Sequence, residues 1–395
     1  MSKMTRRSFT QSIALSLPAF AGLGRTAAAQ TPQKVQIGLL VPLSGIYARP
    51  GTVMRMGAEM GIADVNAGGG IKSLGGAQLE LVVLDCGDTT EKAKNAAQRM
   101  VAEYPNLVAA SGSYLSSFTL AVTEVTERAS LPLLTLSYSD LITERGFRHV
   151  FQTSATAGAQ AEMALPTILR LAETASGRRP RTVAIITDNT AASIASTKAM
   201  KERLLAQHGL EMVVDETFTP PLADATPLVQ RLRARRPDLF FFLPTVISDA
   251  KLMLEKMAEF NLRIPTISFG IAIAEPDVLN TVNPRLLNGV MSAVANWGTK
   301  GQEELIERLR RTYGDVWILQ AALEKAGRAD RQAVSEALRT LDGGPARYFP
   351  GGEIRFDEKG RRVGAGLTII QWQNGVPVTV FPDNLALARP AWPTT

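Results

Sequence analysis

Residues 107–125 read LVAASGSYLSSFTLAVTEV, and this stretch is the most informative one for the fold class. Its first four residues, 107–110, form a short apolar run typical of a buried strand. Apolar residues then recur at helical spacing, at Phe118, Ala121, Val122 and Val125. This spacing predicts a helix that begins near Ser116 or Ser117. The stretch is therefore one strand–turn–helix unit.

The same unit repeats along the chain in two series. The predicted strands of the first series are 35–41, 79–84, 107–110, 133–136 and 150–152. Those of the second series are 183–186, 212–214, 239–243, 266–269 and 289–294. Such alternation predicts parallel sheets covered by helices on both faces. We expect an α/β protein with two doubly wound parallel-sheet lobes, because the 366 residues after position 29 exceed what one core usually supports.

The first residues carry an export signature. Thr5-Arg6-Arg7-Ser8-Phe9 is followed by a weakly apolar stretch and by Ala27-Ala28-Ala29. This pattern predicts a twin-arginine signal peptide over residues 1–29, and hence a protein exported to the periplasm. The apolar stretch 13–23 is too short to span a bilayer and contains Pro18.

The composition excludes several classes of function. Cys86 is the only cysteine, so an intrachain disulfide is impossible. No GxSxG, HExxH, GxGxxG or P-loop pattern is present. We therefore expect no catalytic residue, no metal and no cofactor. The net charge is +6, but the densest basic cluster, residues 231–236, ends a predicted helix and indicates a solvated face instead of a nucleic-acid partner.

The predicted strand ends share small and hydroxyl residues. In open parallel sheets, ligands bind beyond the carboxyl ends of the strands. These ends read SGSYLSS at 111–117, SYSD at 137–140, PLSGIYAR at 42–49, TDNT at 187–190, PT at 244–245 and GI at 270–271. Hydroxyls and free N–H groups at a helix start suit a carboxylate. Helix capping is the alternative role for each of these serines.

In these residues the chain resembles the type I periplasmic binding proteins, specifically the Leu/Ile/Val-binding family that supplies substrate-binding proteins to branched-chain amino acid ABC transporters. The resemblance runs from about Val35 to Pro382. The stretches that carry it are IGL at 37–39, PLSG at 42–45, DVNAGGGI at 64–71, LD at 84–85, Asp88, Gly112, Ser116-Ser117, FQT at 151–153, YFPGG at 348–352, FD at 356–357 and QW at 371–372.

The resemblance implies two lobes joined by three crossing segments, near 152–156, 293–296 and 342–348. Lobe I would comprise residues 30–153 plus 295–341. Lobe II would comprise residues 154–294 plus 342–395 and end in a hairpin. It also implies that a small-molecule ligand binds between the lobes, which close like a hinge, and that the closed form docks on a membrane permease. A monomer is the expected state.

The resemblance also implies that Ser116 and the loop Ser137–Ser139 hold the ligand on lobe I. We expect the whole site to draw on both lobes. Its predicted residues are Ser113, Ser116, Ser117, Ser137, Tyr138, Ser139, Tyr47 and Arg49 from lobe I, and Asn189, Thr245 and Ile271 from lobe II.

Two features depart from the family pattern. The aromatic position of lobe II falls near Pro244 or Thr245, and the acidic position near Ile271 or Ala272, so no carboxylate there pairs a ligand ammonium. Asp140 and Asp188 are the possible substitutes, and an aromatic or short aliphatic acid without an ammonium is the better fit. The connection at 311–315, RTYGD, is also shorter than in relatives, which leaves the packing around 303–327 open.

Other functions stay open at this stage. The same fold serves ligand-sensing modules that signal to a membrane receptor, and an amide or urea-type solute is an alternative ligand. A periplasmic hydrolase is the third alternative, but neither His149 nor His208 lies in a catalytic motif.

Overall fold

The computed structural model describes residues 34–270, 272–274, 276–295, 297, 315–343 and 353–392. Its strands are β1 (Lys34–Val41), β2 (Gln78–Asp85), β3 (Ala109–Gly112), β4 (Leu133–Thr135), β5 (Val150–Gln152), β6 (Thr182–Asp188), β7 (Glu211–Phe218), β8 (Leu239–Leu243), β9 (Thr266–Phe269), β10 (Met291–Val294), β11 (Thr368–Gln373) and β12 (Val376–Phe381). Its helices are α1 (Ala48–Ala67), α2 (Thr90–Glu103), α3 (Ser116–Arg128), α4 (Leu141–Glu144), α5 (Ala157–Ser176), α6 (Ala191–Ala199), α7 (Leu205–Gln207), α8 (Thr226–Arg235), α9 (Ile247–Glu259), α10 (Pro284–Leu287), α11 (Asp315–Ala326) and α12 (Arg331–Arg339).

The strands form two sheets, and the predicted α/β class with two wound sheets is confirmed. The first sheet has the order β2-β1-β3-β4-β5, and all its pairs are parallel. Helices α1, α11 and α12 bury apolar residues against one face of it. Helices α2 and α3 bury theirs against the other face. Each strand is therefore covered on both sides, as its apolar sequence requires.

The second sheet has the order β12-β11-β10-β9-β8-β6-β7. Strands β6 to β10 are mutually parallel, whereas β11 runs antiparallel to β10 and β12 runs antiparallel to β11. Only Asn374 and Gly375 separate β11 from β12, and both have positive φ. Such a two-residue Asn-Gly turn matches the twist of a tight hairpin.

One long helix was missing from the prediction. Residues 157–176 form α5, which the sequence pattern did not indicate. This helix contains Pro166, and a proline usually argues against a helix interior. Its buried face, which includes Ala161, Leu165 and Ile168, packs into the core of the second sheet and outweighs the local cost.

The segment 353–362 lies against the first sheet, although we expected residues 342–395 to belong with the second. The ring of Phe356 packs edge-on against Phe151 of β5, with the ring centroids 5.2 Å apart. The backbone of Arg361 forms an isolated parallel β-bridge with Gln152 at the end of the same strand. The return to the second sheet therefore lies after Arg362 and before β11. The lobe boundaries as a whole stay a prediction.

Several expectations lie outside the described residues. They are the signal peptide, most of the connection at 311–315, and parts of the crossing segments at 293–296 and 342–348. In the ranges that the structure does describe, every helix is too short or too polar to cross a membrane.

The C-terminal hairpin is anchored by a buried indole. Trp372 of β11 is fully buried, and its Nε1 donates a hydrogen bond to the carbonyl of Ile273 at 2.7 Å. We expect Trp372→Phe to lower the free energy of unfolding by about 2 kcal/mol, because it leaves that carbonyl unpaired and opens a small cavity. Chemical denaturation monitored by circular dichroism measures the change.

Trp392→Phe is the matched control. Its side chain is partly exposed, so we expect a change within about 0.5 kcal/mol. Equal losses in the two variants would show that the Trp372 hydrogen bond contributes nothing particular to stability.

Candidate functional site

The strand orders place one crevice at the carboxyl edge of each sheet. In the first sheet β2 and β3 lie on opposite sides of β1, and in the second sheet β7 and β8 lie on opposite sides of β6. The direction of winding changes at β1/β3 and at β6/β8. Ligands of open α/β sheets bind at such points, beyond the carboxyl ends of the strands.

The turn from β3 to α3 is unusually tight. Gly112, Ser113 and Tyr114 all have positive φ, at 124°, 73° and 42°. A Cβ atom at Gly112 would lie 2.0 Å from the carbonyl oxygen of Leu40, so only glycine fits there. The N–H of Ser113 donates to that same oxygen at 2.7 Å. Non-glycine residues in this conformation are costly and cluster at functional sites.

Ser116 joins two strand ends of the first sheet. Its Oγ accepts hydrogen bonds from the N–H groups of Tyr138 and Ser139, each at 3.1 Å. The loop after β4 is thereby fixed against the first turn of α3. The Ser116 hydroxyl still has its own proton to donate.

The first turn of α3 carries no compensating side chain. Its N-cap residue, Leu115, makes no side-chain capping bond, and no acidic residue occurs in the first turn. The first intrahelical N–H bond is donated by Thr119. The N–H groups of residues 116–118 therefore lack helical acceptors and give this end a partial positive charge.

Two buried hydroxyls beside this turn lack partners. Ser113 and Ser139 are both fully buried, and the Oγ atom of each has no hydrogen-bond partner in the structure. A buried polar group without a partner destabilises a fold, so each case needs a reason. An anion with several acceptor oxygens would satisfy both hydroxyls and the helix N-terminus at once.

Three other predicted residues from the first sheet have different surroundings. The Oγ of Ser137 donates to the carbonyl of Tyr114 at 3.1 Å and lies 2.7 Å from the hydroxyl of Thr119, so it braces the turn internally. Ser117 is partly exposed. The ring of Tyr138 lies close to Gly270, which follows β9 of the second sheet. A Cβ atom added to Gly270 would be 3.7 Å from the ring of Tyr138.

Tyr47 is buried between the two sheets. Its ring packs against Tyr114 and Phe118, with centroids 6.0 Å apart in both cases. Its hydroxyl lies near the side chain of Thr245 on the second sheet. Burial raises the pKa of Tyr47, and the nearby carboxylate of Asp188 raises it further.

Arg49 differs from its expected position. It lies in the first turn of α1 and is exposed, whereas we expected it on the loop beside Tyr47. Helix α1 begins at Ala48 and so includes Arg49.

On the second sheet, the predicted residues are drawn into local bonds. Asn189 is exposed, and its Nδ2 donates to the hydroxyl of Thr219 at 2.9 Å. Thr245 donates from both N–H and Oγ1 to Oδ2 of Asp188, each at 2.7 Å. Ile271 lies outside the described residues. Asn189 and Thr245 are therefore engaged in local hydrogen bonds, and the assignment of all three residues to the ligand site stays a prediction.

The carboxylates near this edge already accept hydrogen bonds from other groups of the protein. Oδ1 of Asp188 accepts from the N–H and the hydroxyl of Thr190, so each of its oxygens accepts two bonds. Oδ2 of Asp140 accepts from the N–H of Gly158 at 2.9 Å.

Asp249 was not predicted from the sequence. It is buried, and its Oδ2 has no hydrogen-bond partner among the described residues. Burial raises the pKa of Asp249, and the charge of Asp188 adds to this. No pattern in the sequence distinguishes it from a surface aspartate.

The chain is similar to known proteins along most of its length. A family model described as periplasmic binding protein matches residues 34–376. The protein named Leu/Ile/Val-binding protein homolog 7 of Brucella abortus (strain 2308) is 26% identical over 402 residues, which cover 95% of this chain and 98% of that protein.

Solved structures show the same fold. The substrate-binding protein LivJ of Streptococcus pneumoniae, solved in complex with isoleucine, aligns with a TM-score of 0.74 at 18% identity and covers 88% of this chain and 100% of that one. A fatty acid ABC transporter substrate-binding protein from Thermomonospora curvata aligns with a TM-score of 0.73 at 18% identity and covers 88% and 91% of the two chains.

Replacing the serine that joins the two strand ends should weaken the fold. Ser116→Ala leaves the N–H groups of Tyr138 and Ser139 without their acceptor, and we expect a loss of about 1–3 kcal/mol in the free energy of unfolding. Thermal or chemical unfolding measures it.

Ser117→Ala is the control for this prediction, because Ser117 neighbours the same turn but is partly exposed. We expect it to change stability by less than about 0.5 kcal/mol. If Ser116→Ala is equally mild, Ser116 does not hold the loop in place.

Proposed function

This chain belongs to the periplasmic binding protein family, and we propose that it is the solute-binding protein of an ABC importer, which captures a small carboxylate-bearing solute between its two sheets. The observation that carries the proposal is the pair of buried, unpartnered hydroxyls of Ser113 and Ser139 beside the uncapped start of α3. A carboxylate there accepts hydrogen bonds from both hydroxyls and from the first-turn N–H groups.

Each neighbouring residue has a definite part in this proposal. Ser116 holds the loop after β4 and donates its own proton to the solute. Ser117 contributes through its backbone N–H in the first turn of α3. Ser137 braces the turn without reaching the solute. Tyr47 and Tyr138 close the apolar side of the site, because both rings lie between the two sheets.

The similar proteins suggest two classes of solute. An isoleucine complex and the name Leu/Ile/Val-binding protein homolog point to an amino acid, whereas a fatty acid protein of the same fold points to an acid without an ammonium. In this chain the oxygens of Asp188 are already occupied, and the pKa of Asp249 is raised by burial. Both are weak partners for an ammonium, so we favour an aromatic or short aliphatic acid over an amino acid.

The setting of the protein is part of the proposal. The paired arginines Arg6 and Arg7 support export through the twin-arginine route to the periplasm. There the protein would act as a monomer and deliver its solute to a permease in the inner membrane, with no nucleic-acid partner. A binding role without catalysis is consistent with the family.

A ligand screen tests the proposal. We expect at least one small carboxylic acid among amino acids, aromatic acids and aliphatic acids to raise the melting temperature, because a ligand that binds only the folded state stabilises it. Leucine and isocaproate form an informative pair, since they differ only by the ammonium. We expect isocaproate to bind more tightly. Calorimetry on every compound that raises the melting temperature measures the affinities.

The outcomes separate two questions. If no carboxylate changes the melting temperature, the proposed import role is wrong. If leucine binds more tightly than isocaproate, the role stands and the preference for acids without an ammonium is wrong.

Ser139→Ala distinguishes a binding residue from a structural one. Its hydroxyl has no partner among the residues that the structure describes, so removing it should leave the melting temperature unchanged or slightly raised. The affinity for the bound acid should fall by about tenfold, because one hydrogen bond to a charged group is lost. Lower stability with unchanged affinity would contradict the assignment of Ser139 to the site.

A further inference from the structure

A short segment between β5 and α5 connects the two sheets. Strand β5 belongs to the first sheet and ends at Gln152. Helix α5 begins at Ala157 and packs into the core of the second sheet. Because only residues 153–156 lie between them, the direction of α5 at its first turn sets how the second sheet is oriented relative to the first.

The first turn of α5 is bound by the loop after β4, residues 137–140. The N–H of Ala157 donates to the carbonyl of Tyr138 at 2.6 Å, and the N–H of Gly158 donates to Oδ2 of Asp140 at 2.9 Å. The N–H groups at the start of a helix have no acceptor within the helix. A loop of the first sheet therefore supplies acceptors to two successive N–H groups of a helix on the second sheet.

Asp140 fits closely between the loop and the helix. A Cβ atom added to Gly158 would lie 3.2 Å from its Oδ1 and 3.3 Å from its Oδ2, so the missing side chain lets the carboxylate approach α5. On the other side, Nη2 of Arg361 donates to the carbonyl of Asp140 at 3.1 Å. A carboxylate at a helix N-terminus also complements the helix dipole.

The same loop belongs to the candidate site. The N–H groups of Tyr138 and Ser139 donate to Oγ of Ser116, and Asp140 is the next residue. The buried hydroxyl of Ser139 and the carboxylate that holds α5 are therefore on neighbouring residues. A shift of one of them would displace the other.

We propose that Asp140 is a positioning residue for solute binding, whose carboxylate holds the start of α5 against the loop 137–140. It thereby fixes the second sheet in the orientation in which both sheets contact the solute, and it acts without touching the solute itself. This inference rests on the proposed function. It also removes Asp140 from the possible partners of a solute ammonium, because its carboxylate serves α5 instead.

A distance measurement tests this role in the protein alone. Spin labels on Met56→Cys and Ile194→Cys report the distance between α1 on the first sheet and α6 on the second, and both positions are exposed, at 45% and 41%. Burial raises the pKa of the native Cys86 to about 12, so this thiol stays unlabelled. Solute is removed by unfolding in guanidinium and refolding, and pulsed electron paramagnetic resonance then gives the distance distribution.

Asp140→Ala should broaden this distribution relative to the otherwise unaltered labelled protein, because α5 loses one of its two bonds to the loop. Asp140→Asn keeps an acceptor oxygen for the N–H of Gly158 and should restore the narrower distribution. If Asp140→Ala leaves the distribution unchanged while circular dichroism shows it folded, Asp140 does not fix α5.

Calorimetry with leucine and isocaproate separates positioning from direct contact. Asp140→Ala should weaken the binding of either acid by about two- to tenfold, the range expected for one hydrogen bond, and Asp140→Asn should restore it. Direct pairing with an ammonium would instead make both variants weaken leucine alone, and that result would overturn the proposal. If neither acid binds, the distance measurement alone decides the role of Asp140, whatever the outcome for the proposed function.

Thr156→Ala is the matched control, since Thr156 caps the same turn without involving the loop. Its Oγ1 accepts from the N–H of Ala159 at 3.3 Å. We expect this variant to lower the melting temperature but to leave the distance distribution and both affinities unchanged. If Asp140→Ala likewise changes only the melting temperature, its bond merely stabilises the helix and the proposal is wrong.

Discussion

The candidate site depends on one interaction, the pair of hydrogen bonds that Ser116 Oγ accepts from the N–H groups of Tyr138 and Ser139. Through it the turn after β3 and the loop after β4 become one unit. Ser139 is then buried beside the start of α3 with its hydroxyl unpaired. Without this link the hydroxyl would be free to turn toward water, and the group of donors that suits a carboxylate would be lost.

Most of the fold could be predicted from the sequence. Strand β8 is fully apolar and is bounded by Pro237 and Pro244, so its limits at 239–243 are the ones the pattern predicted. Helix α5 could not be predicted from the sequence, because Pro166 interrupts its helical pattern. The helix is stabilised by packing against the second sheet, which the local sequence does not show. The packing of residues 353–362 against the first sheet was also not predictable from the sequence. It depends on the contact of Phe356 with Phe151, two residues far apart in the chain.

The candidate site was predictable in its location but not in its chemistry. Hydroxyl and glycine residues at the strand ends indicated loops that the structure brings to one edge of a sheet, because parallel strands have their carboxyl ends on the same side. Which hydroxyls stay unpaired depends on three-dimensional geometry: the hydroxyl of Ser137 is bonded to Thr119, whereas the hydroxyl of Ser139, two residues later, has no partner among the described residues. Likewise, nothing in the sequence shows that Tyr47 lies near Thr245 of the second sheet.

A crystal structure of the protein with its bound solute would show whether the solute binds at the start of α3. We expect a carboxylate whose oxygens lie within hydrogen-bond distance of Ser139 Oγ and of the first-turn N–H groups of α3. A solute bound elsewhere, or one whose carboxylate faces the second sheet while Ser113 and Ser139 remain unpaired, would contradict it.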